Sequence, residues 1–267
     1  MVTEQRHSRA ARRERHTGSR GRATPAGHRG PRPAQPGPPA KRRGVPWRPW
    51  VRGALAAVAV LSAGAGALWA LAPGGLGRQA PVRITDGVSA SAYRELSGAA
   101  SHGPGWLGGL FELATEGTLV ALGLLWLWTG VRAWRDRNPR LGTGLALTAI
   151  GTVVAYALSE GLKLVADQER PCRALAGADP LAACPPTGDW SFPSNHATLA
   201  AALAVGLALT RPRLAAVTLP LAAAAALLRV LVGVHYPHDV LAGAVLGGAV
   251  AAAPLVLARS AGRLHQA

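Results

Sequence analysis

Six long apolar stretches constrain this chain more than any other feature. They run over about residues 53–72, 107–131, 141–162, 196–210, 213–232 and 239–258. Most of them meet the roughly 20 residues that a helix needs to cross a hydrocarbon core; the fourth reaches that length only with flanking residues. All six are too long and too uniformly apolar for strands. Hydrophobic residues make up 49% of the chain and charged residues only 16%, against roughly 25% charged in a soluble domain. The expectation is an all-α integral-membrane bundle of six transmembrane helices. The first stretch ends in Ala70-Leu71-Ala72, which resembles a signal-cleavage site, but Pro73 follows directly and favours a retained helix.

The net charge of +16 invites a nucleic-acid reading, and its distribution argues against one. Of 29 Lys and Arg, thirteen lie between Arg6 and Arg48, opposed only by Glu4 and Glu14. The rest of the chain is nearly balanced. A basic tail beside an apolar body suits anionic lipids at a cytoplasmic leaflet, with no specific nucleic-acid partner. Residues 1–49 are rich in Arg, Pro and Gly without apolar periodicity, which predicts a disordered cytoplasmic tail. Pro46, Trp47, Arg48, Pro49 and Trp50 then read as an interfacial anchor.

Loop charges set the orientation. Arg132, Arg135, Arg137 and Arg140, then Arg211 and Arg213, then Arg259 and Arg263 fall on the side of the N-terminal tail in a six-helix topology. The positive-inside rule makes that side cytoplasmic, with both termini there. The chain then divides into the tail (1–49), a first transmembrane helix and outer loop (50–106), a helical core (107–260) and a short cytoplasmic tail (261–267). Residues 73–106 show weak helical character around Ala90 to Leu96 and read as lying along the outer surface. The two cysteines, Cys172 and Cys184, both fall in an outward-facing segment. A disulfide fits there, because such bonds persist in oxidising compartments.

Three polar clusters lie in or beside the apolar helices, where ionisable groups are costly and usually functional. The first runs from Lys163 to Arg170-Pro171. Seven residues are two helical turns, so the two cations are expected on one face, roughly 10 Å apart, able to hold a dianion. Arginine adds forked donors that match phosphate oxygens. The second is Ser191-Phe192-Pro193-Ser194-Asn195-His196, opening the fourth apolar stretch. Ser194 is a plausible N-cap, and the free N–H groups of a helix start attract anions. The third runs from Arg229 through His235 to Asp239. Asp239 lies four positions after His235, within reach of carboxylate–imidazole contact, and Pro237 can begin the helix. His238 reads as a loop residue. In the six-helix topology all three clusters converge on the outer side.

These clusters resemble the three signature motifs of the type 2 phosphatidic acid phosphatase superfamily: Lys-x6-Arg-Pro, Pro-Ser-Gly-His and Ser-Arg-x5-His-x3-Asp. Their order, spacing and placement match over roughly residues 100–258. The chain departs twice, with Asn195 at the motif glycine and Leu228 at the serine before Arg229. The resemblance implies the helical bundle that this superfamily shares with vanadium haloperoxidases. It implies a membrane phosphatase that hydrolyses a lipid phosphate or pyrophosphate monoester on the extracytoplasmic face. His235 is then the nucleophile, Asp239 its orienting carboxylate and His196 the acid and base. Lys163, Arg170, Ser194, Asn195 and Arg229 hold the phosphate. No metal and no cofactor are implied, since three cations can do the neutralising. A non-catalytic lipid-phosphate binder or a transport-associated protein would keep the cations but need neither histidine nor Asp239.

Overall fold

The computed structural model describes residues 47–75 and 81–260, together with residue 262. The expected basic tail, apart from its last three residues, and the C-terminal tail, apart from Gly262, lie outside the described residues. The described elements are α1 (Trp47–Leu71), α2 (Gly87–Ser101), α3 (Leu107–Arg135), α4 (Pro139–Ala166), α5 (Pro171–Ala174), α6 (Asn195–Thr210), a 3₁₀ turn (Pro212–Leu214), α7 (Ala215–Leu231) and α8 (Pro237–Ser260). No strand occurs among them; one parallel bridge joins Val82 and Gln168. The weak helical signal of the outer segment is the 15-residue α2.

Local chemistry explains where the helices begin and end. The Asn138 side chain accepts the Leu141 N–H at 3.0 Å, and Pro139 follows at the first helical position. At the other end of α4, Asp167 takes a left-handed conformation (φ 41°) and stops the helix. Pro171 then keeps Arg170 extended, at φ −70° and ψ 147°. The expectation that Lys163 and Arg170 share one helical face is therefore corrected: the helix has ended before Arg170, which returns by an extended segment.

Among the described residues, five helices are long and apolar enough to cross a membrane: α1, α3, α4, α7 with its preceding turn, and α8. With large apolar side chains such as Leu113, Val120, Leu124, Ile150 and Val153 exposed on α3 and α4, they make this a multi-pass membrane protein. The fourth apolar stretch forms α6, which has 16 residues, short of the roughly 20 that a crossing takes. That shortness has a physical setting. α6 is the central helix, packed against α4, α7 and α8, with Ala200, Ala202, Ala204 and Leu207 at 0% exposure. A helix sheathed by protein need not match the lipid thickness itself.

Small residues let α8 approach α6 closely. A Cβ on Gly243 would lie 2.4 Å from the Ser194 carbonyl oxygen, and one on Gly247 would lie 2.1 Å from that of Thr198. Two glycines four apart thus form a small-residue stripe against the start of α6. The Ser194 N–H donates to the Asp239 carbonyl at 3.0 Å at the head of this contact. The first turns of α6 and α8 meet there.

Candidate active site

His235 lies in the short connection between α7 and α8 and is 2% exposed. Its Nδ1 faces the Asp239 carboxylate at 3.5 Å and the Ser191 hydroxyl at 3.4 Å. Its Nε2 lies 3.1 Å from Nη1 of Arg170. A guanidinium only donates, so Nε2 carries the lone pair and Nδ1 the proton. Burial, and then the neighbouring Arg170 charge, push the imidazole down to about 3 against the opposing pull of Asp239. The ring is therefore neutral at ordinary pH.

Asp239 is fully buried at the third position of α8. Its Oδ2 accepts the Tyr236 N–H at 2.8 Å, the reach-back of a capping box, and also the Ser191 hydroxyl. Its Oδ1 accepts from the Gln168 amide at 2.9 Å, and His238 Nε2 stands 3.1 Å away. His238 is thus not a loop residue. Pro237 begins α8 one position earlier, and the imidazole is packed between Phe192 and Tyr236.

Asp189 joins the two cations of the first cluster. Its Oδ1 accepts from Arg170 Nη2 at 2.9 Å and from Lys163 Nζ at 3.4 Å, and its carbonyl accepts from Arg170 Nε at 2.8 Å. Arg170 also donates to the Val234 carbonyl at 3.1 Å, which ties it to the strand of chain bearing His235. Burial works to raise the Asp189 carboxyl, but the charges of Arg170 and Lys163 outweigh it and hold it below the usual carboxylate range.

Ser194 occupies the N-cap position of α6, yet its hydroxyl makes no capping bond. That oxygen and Nε of Arg229 are buried and have no hydrogen-bond partner among the described residues. Buried polar atoms are nearly always satisfied, so each of these donors is open to an acceptor that a ligand could supply. Asn195 bridges helices: Ser159 donates to its Oδ1 at 2.7 Å, and its amide nitrogen donates to Glu160, which pairs with Lys163 at 3.1 Å. His196 holds Glu116 of α3 at 2.7 Å through Nε2. Arg229 and Arg170 both lie within electrostatic range of His196 and of His235.

The loop between α5 and α6 is tied down by covalent and polar links. Cys172 and Cys184 form a disulfide. Arg173 donates to the carbonyls of Pro185 and Pro186 and pairs with Glu169 at 3.2 Å. The Ser191 N–H donates to the Gln168 carbonyl at 2.8 Å. Sequence reasoning missed Asp189, Gln168, Glu116 and Glu160, and it gave Ser191, the first residue of the second polar cluster, no role of its own. Glu116 and Glu160 carried a signal, being carboxylates inside apolar helices; Asp189, Ser191 and Gln168 sit in polar segments where nothing distinguishes them.

Fold and geometry define a multi-pass helical membrane protein with a buried histidine–aspartate pair beneath several cations. Residues 141–262 match the PAP2 superfamily. That segment holds all three polar clusters. It is 34% identical over 116 residues to decaprenylphosphoryl-5-phosphoribose phosphatase of Mycobacterium tuberculosis, covering 43% of this chain and 61% of that protein. It is 37% identical over 112 residues to the undecaprenyl-diphosphatase of Sulfolobus acidocaldarius, covering 42% of this chain and 52% of that one. The chain thus spans about half to three-fifths of the length of these relatives. Among solved structures, a transmembrane PAP2 type phosphatidylglycerolphosphate phosphatase from Bacillus subtilis is similar at 21% identity and a TM-score of 0.45, covering 76% of this chain and 92% of that one.

Proposed function

We propose that this protein is a membrane phosphatase that hydrolyses a lipid phosphate or diphosphate monoester through a phosphohistidine. The observation that carries the reading is the set of His235: Nε2, free of a proton, points to Arg170, while Nδ1 points to Asp239. Nε2 attacks phosphorus as the ester oxygen leaves, and His196 supplies the leaving alkoxide with a proton. Asp239 stabilises the imidazolium that develops. In the second half, His196 takes a proton from water, the hydroxide breaks the P–N bond, and inorganic phosphate departs with His235 restored.

Lys163, Arg170 and Arg229 neutralise the equatorial oxygens, where the charge of a loose phosphoryl transition state resides. Ser194 and the backbone and amide of Asn195 add donors. In this reading the incoming phosphate displaces Asp189 from Lys163 and Arg170, and it satisfies the Ser194 hydroxyl and Arg229 Nε. The cations do the work a metal does in other phosphatases, so activity is expected to survive EDTA.

The topology proposed has six crossings, α6 being completed by its flanks, with both termini cytoplasmic and the site extracytoplasmic. The proposed domain division is a basic tail against anionic lipid, an anchor helix with its outer segment, and the phosphatase core. A polyprenyl or glycerolipid phosphate is the proposed substrate class, supported by the lipid-linked phosphates in the names of both relatives. The test is phosphate release from a panel of such lipids in detergent micelles by the full chain, with His235→Ala as control. Release by wild type, and a loss of more than about two orders of magnitude in the variant, is the expected result; no release from any lipid phosphate would sink the reading.

A further inference from the structure

The outer segment 81–101 precedes the family match, and no motif assigns it a role. It nevertheless grips the connection that carries His235. The Tyr93 hydroxyl donates to the Gly233 carbonyl at 3.0 Å, and the Tyr236 hydroxyl donates to the Ile84 carbonyl at 2.6 Å. Ser89 Oγ lies 2.6 Å from Nδ1 of His238. Tyr93, Tyr236 and His238 form a run of ring contacts at 5.7 and 5.4 Å between centroids. Tyr93 and Tyr236 are buried at 1% and 0% exposure, so this is interior contact rather than surface apposition.

The chain of bonds has a direction. The Gln168 amide nitrogen donates to Asp239 Oδ1 at 2.9 Å, so its carbonyl oxygen is the end that faces His238, at 3.0 Å from Nε2. Around that nitrogen stand a carbonyl and a carboxylate oxygen, which only accept. Nε2 of His238 therefore carries a proton, and Nδ1 accepts the hydrogen bond of the Ser89 hydroxyl. Ser89, His238 and Gln168 thus end on the carboxylate that faces the nucleophile.

We infer that helix α2, acting through Ser89 and His238 with Gln168, positions Asp239 and so holds the His235 imidazole in its attacking orientation. The inference rests on the phosphatase reading. His238 and Ser89 are positioning residues, since neither touches the Nε2 face of His235. Removing the His238 donor leaves Asp239 Oδ1 with Gln168 alone and frees the carboxylate to turn. Misplacement of a reacting group by about 1 Å costs roughly a hundredfold in rate, without weakening phosphate contacts made elsewhere.

The experiment compares His238→Ala, His238→Gln and Ser89→Ala in the full-length protein, by kcat and KM for lipid phosphate release. In parallel, the ¹⁵N signals of His235 are read in histidine-labelled protein. The glutamine side chain reaches about as far as Nε2 and restores a donor there. The expected result is a 10- to 100-fold lower kcat in His238→Ala with KM unchanged within about twofold, a smaller loss in Ser89→Ala, and recovery of most activity in His238→Gln. The His235 signals should move in His238→Ala and return in His238→Gln. An unchanged kcat, or a loss in His238→Ala with His235 signals as in wild type, overturns the inference. A wild-type protein without turnover overturns the phosphatase reading instead, and the His235 signals then still decide whether α2 positions the ring.

Discussion

His235 is held between two partners of opposite character: Nε2 is 3.1 Å from Nη1 of Arg170, and Nδ1 is 3.5 Å from Oδ2 of Asp239. One side can only donate and the other only accept, so the tautomer is set by the protein and not by solvent. A neutral ring with its lone pair turned toward a cationic pocket is what a nucleophile for a phosphoryl group requires. In the proposed mechanism the arginine that fixes the lone pair also holds the phosphate, which would couple binding and activation in one contact.

The depressed His235 value has a consequence for stability. The folded ring stays neutral down to about 3, while the unfolded ring takes a proton near 6.5. Between those values the unfolded state binds more protons, so stability is full above about pH 6.5 and is lost as pH falls toward 3. Thermal unfolding in detergent across pH 4 to 8 should show this slope, and His235→Asn should flatten it. An equal slope in the variant would assign it to other groups.

Asp189 bridges Lys163 and Arg170 from a side chain that is 41% exposed. If its carboxylate competes with phosphate for these cations, Asp189→Asn should lower KM, and the inhibition constant for inorganic phosphate, by about two- to fivefold, the scale of partly exposed ion pairs. A raised KM would mean that Asp189 serves to hold Arg170 in place.

The Cys172–Cys184 disulfide closes a sequence separation of 12 and anchors the loop leading to Asp189 and Ser194. Replacing both cysteines by alanine should cost about 2–4 kcal/mol, read by denaturant unfolding. In intact cells, after reduction, an impermeant thiol reagent should label both positions from outside. Labelling only from the cytoplasm would reverse the proposed topology.

Gly247 faces the Thr198 carbonyl so closely that a Cβ would stand 2.1 Å from its oxygen. Gly247→Val should drive α8 off α6, costing about 3 kcal/mol or more, since the obstacle is backbone. Loss of folded protein by size-exclusion chromatography is the expected outcome. Normal yield and activity would show that the helices can separate without harm.

Much of the fold was legible because membrane helices announce themselves by length and apolarity. α1, α3, α4, α7 and α8 fall within a few residues of the predicted stretches. α6 was harder, since its core position comes from Ala packing against α4, α7 and α8, which hydropathy does not encode. In the site, Lys163, Arg170, His196, His235 and Asp239 were visible as costly groups at motif spacing. Arg170 was misplaced onto the helix because the left-handed turn at Asp167 leaves no sequence mark. The roles of Asp189, Gln168 and Ser191 were invisible for a different reason: their importance lies in partners 19 to 71 positions away. Glu116 reaches His196 across 80 positions, and such pairings follow only from the completed bundle.

The most direct test is to trap the covalent intermediate. Purified protein mixed with a ³²P-labelled lipid phosphate and quenched within the first turnover should carry acid-labile, alkali-stable label on the peptide containing His235, and His235→Gln should carry none. Turnover in wild type with label on another residue, or sustained phosphate release by His235→Gln, would contradict the account.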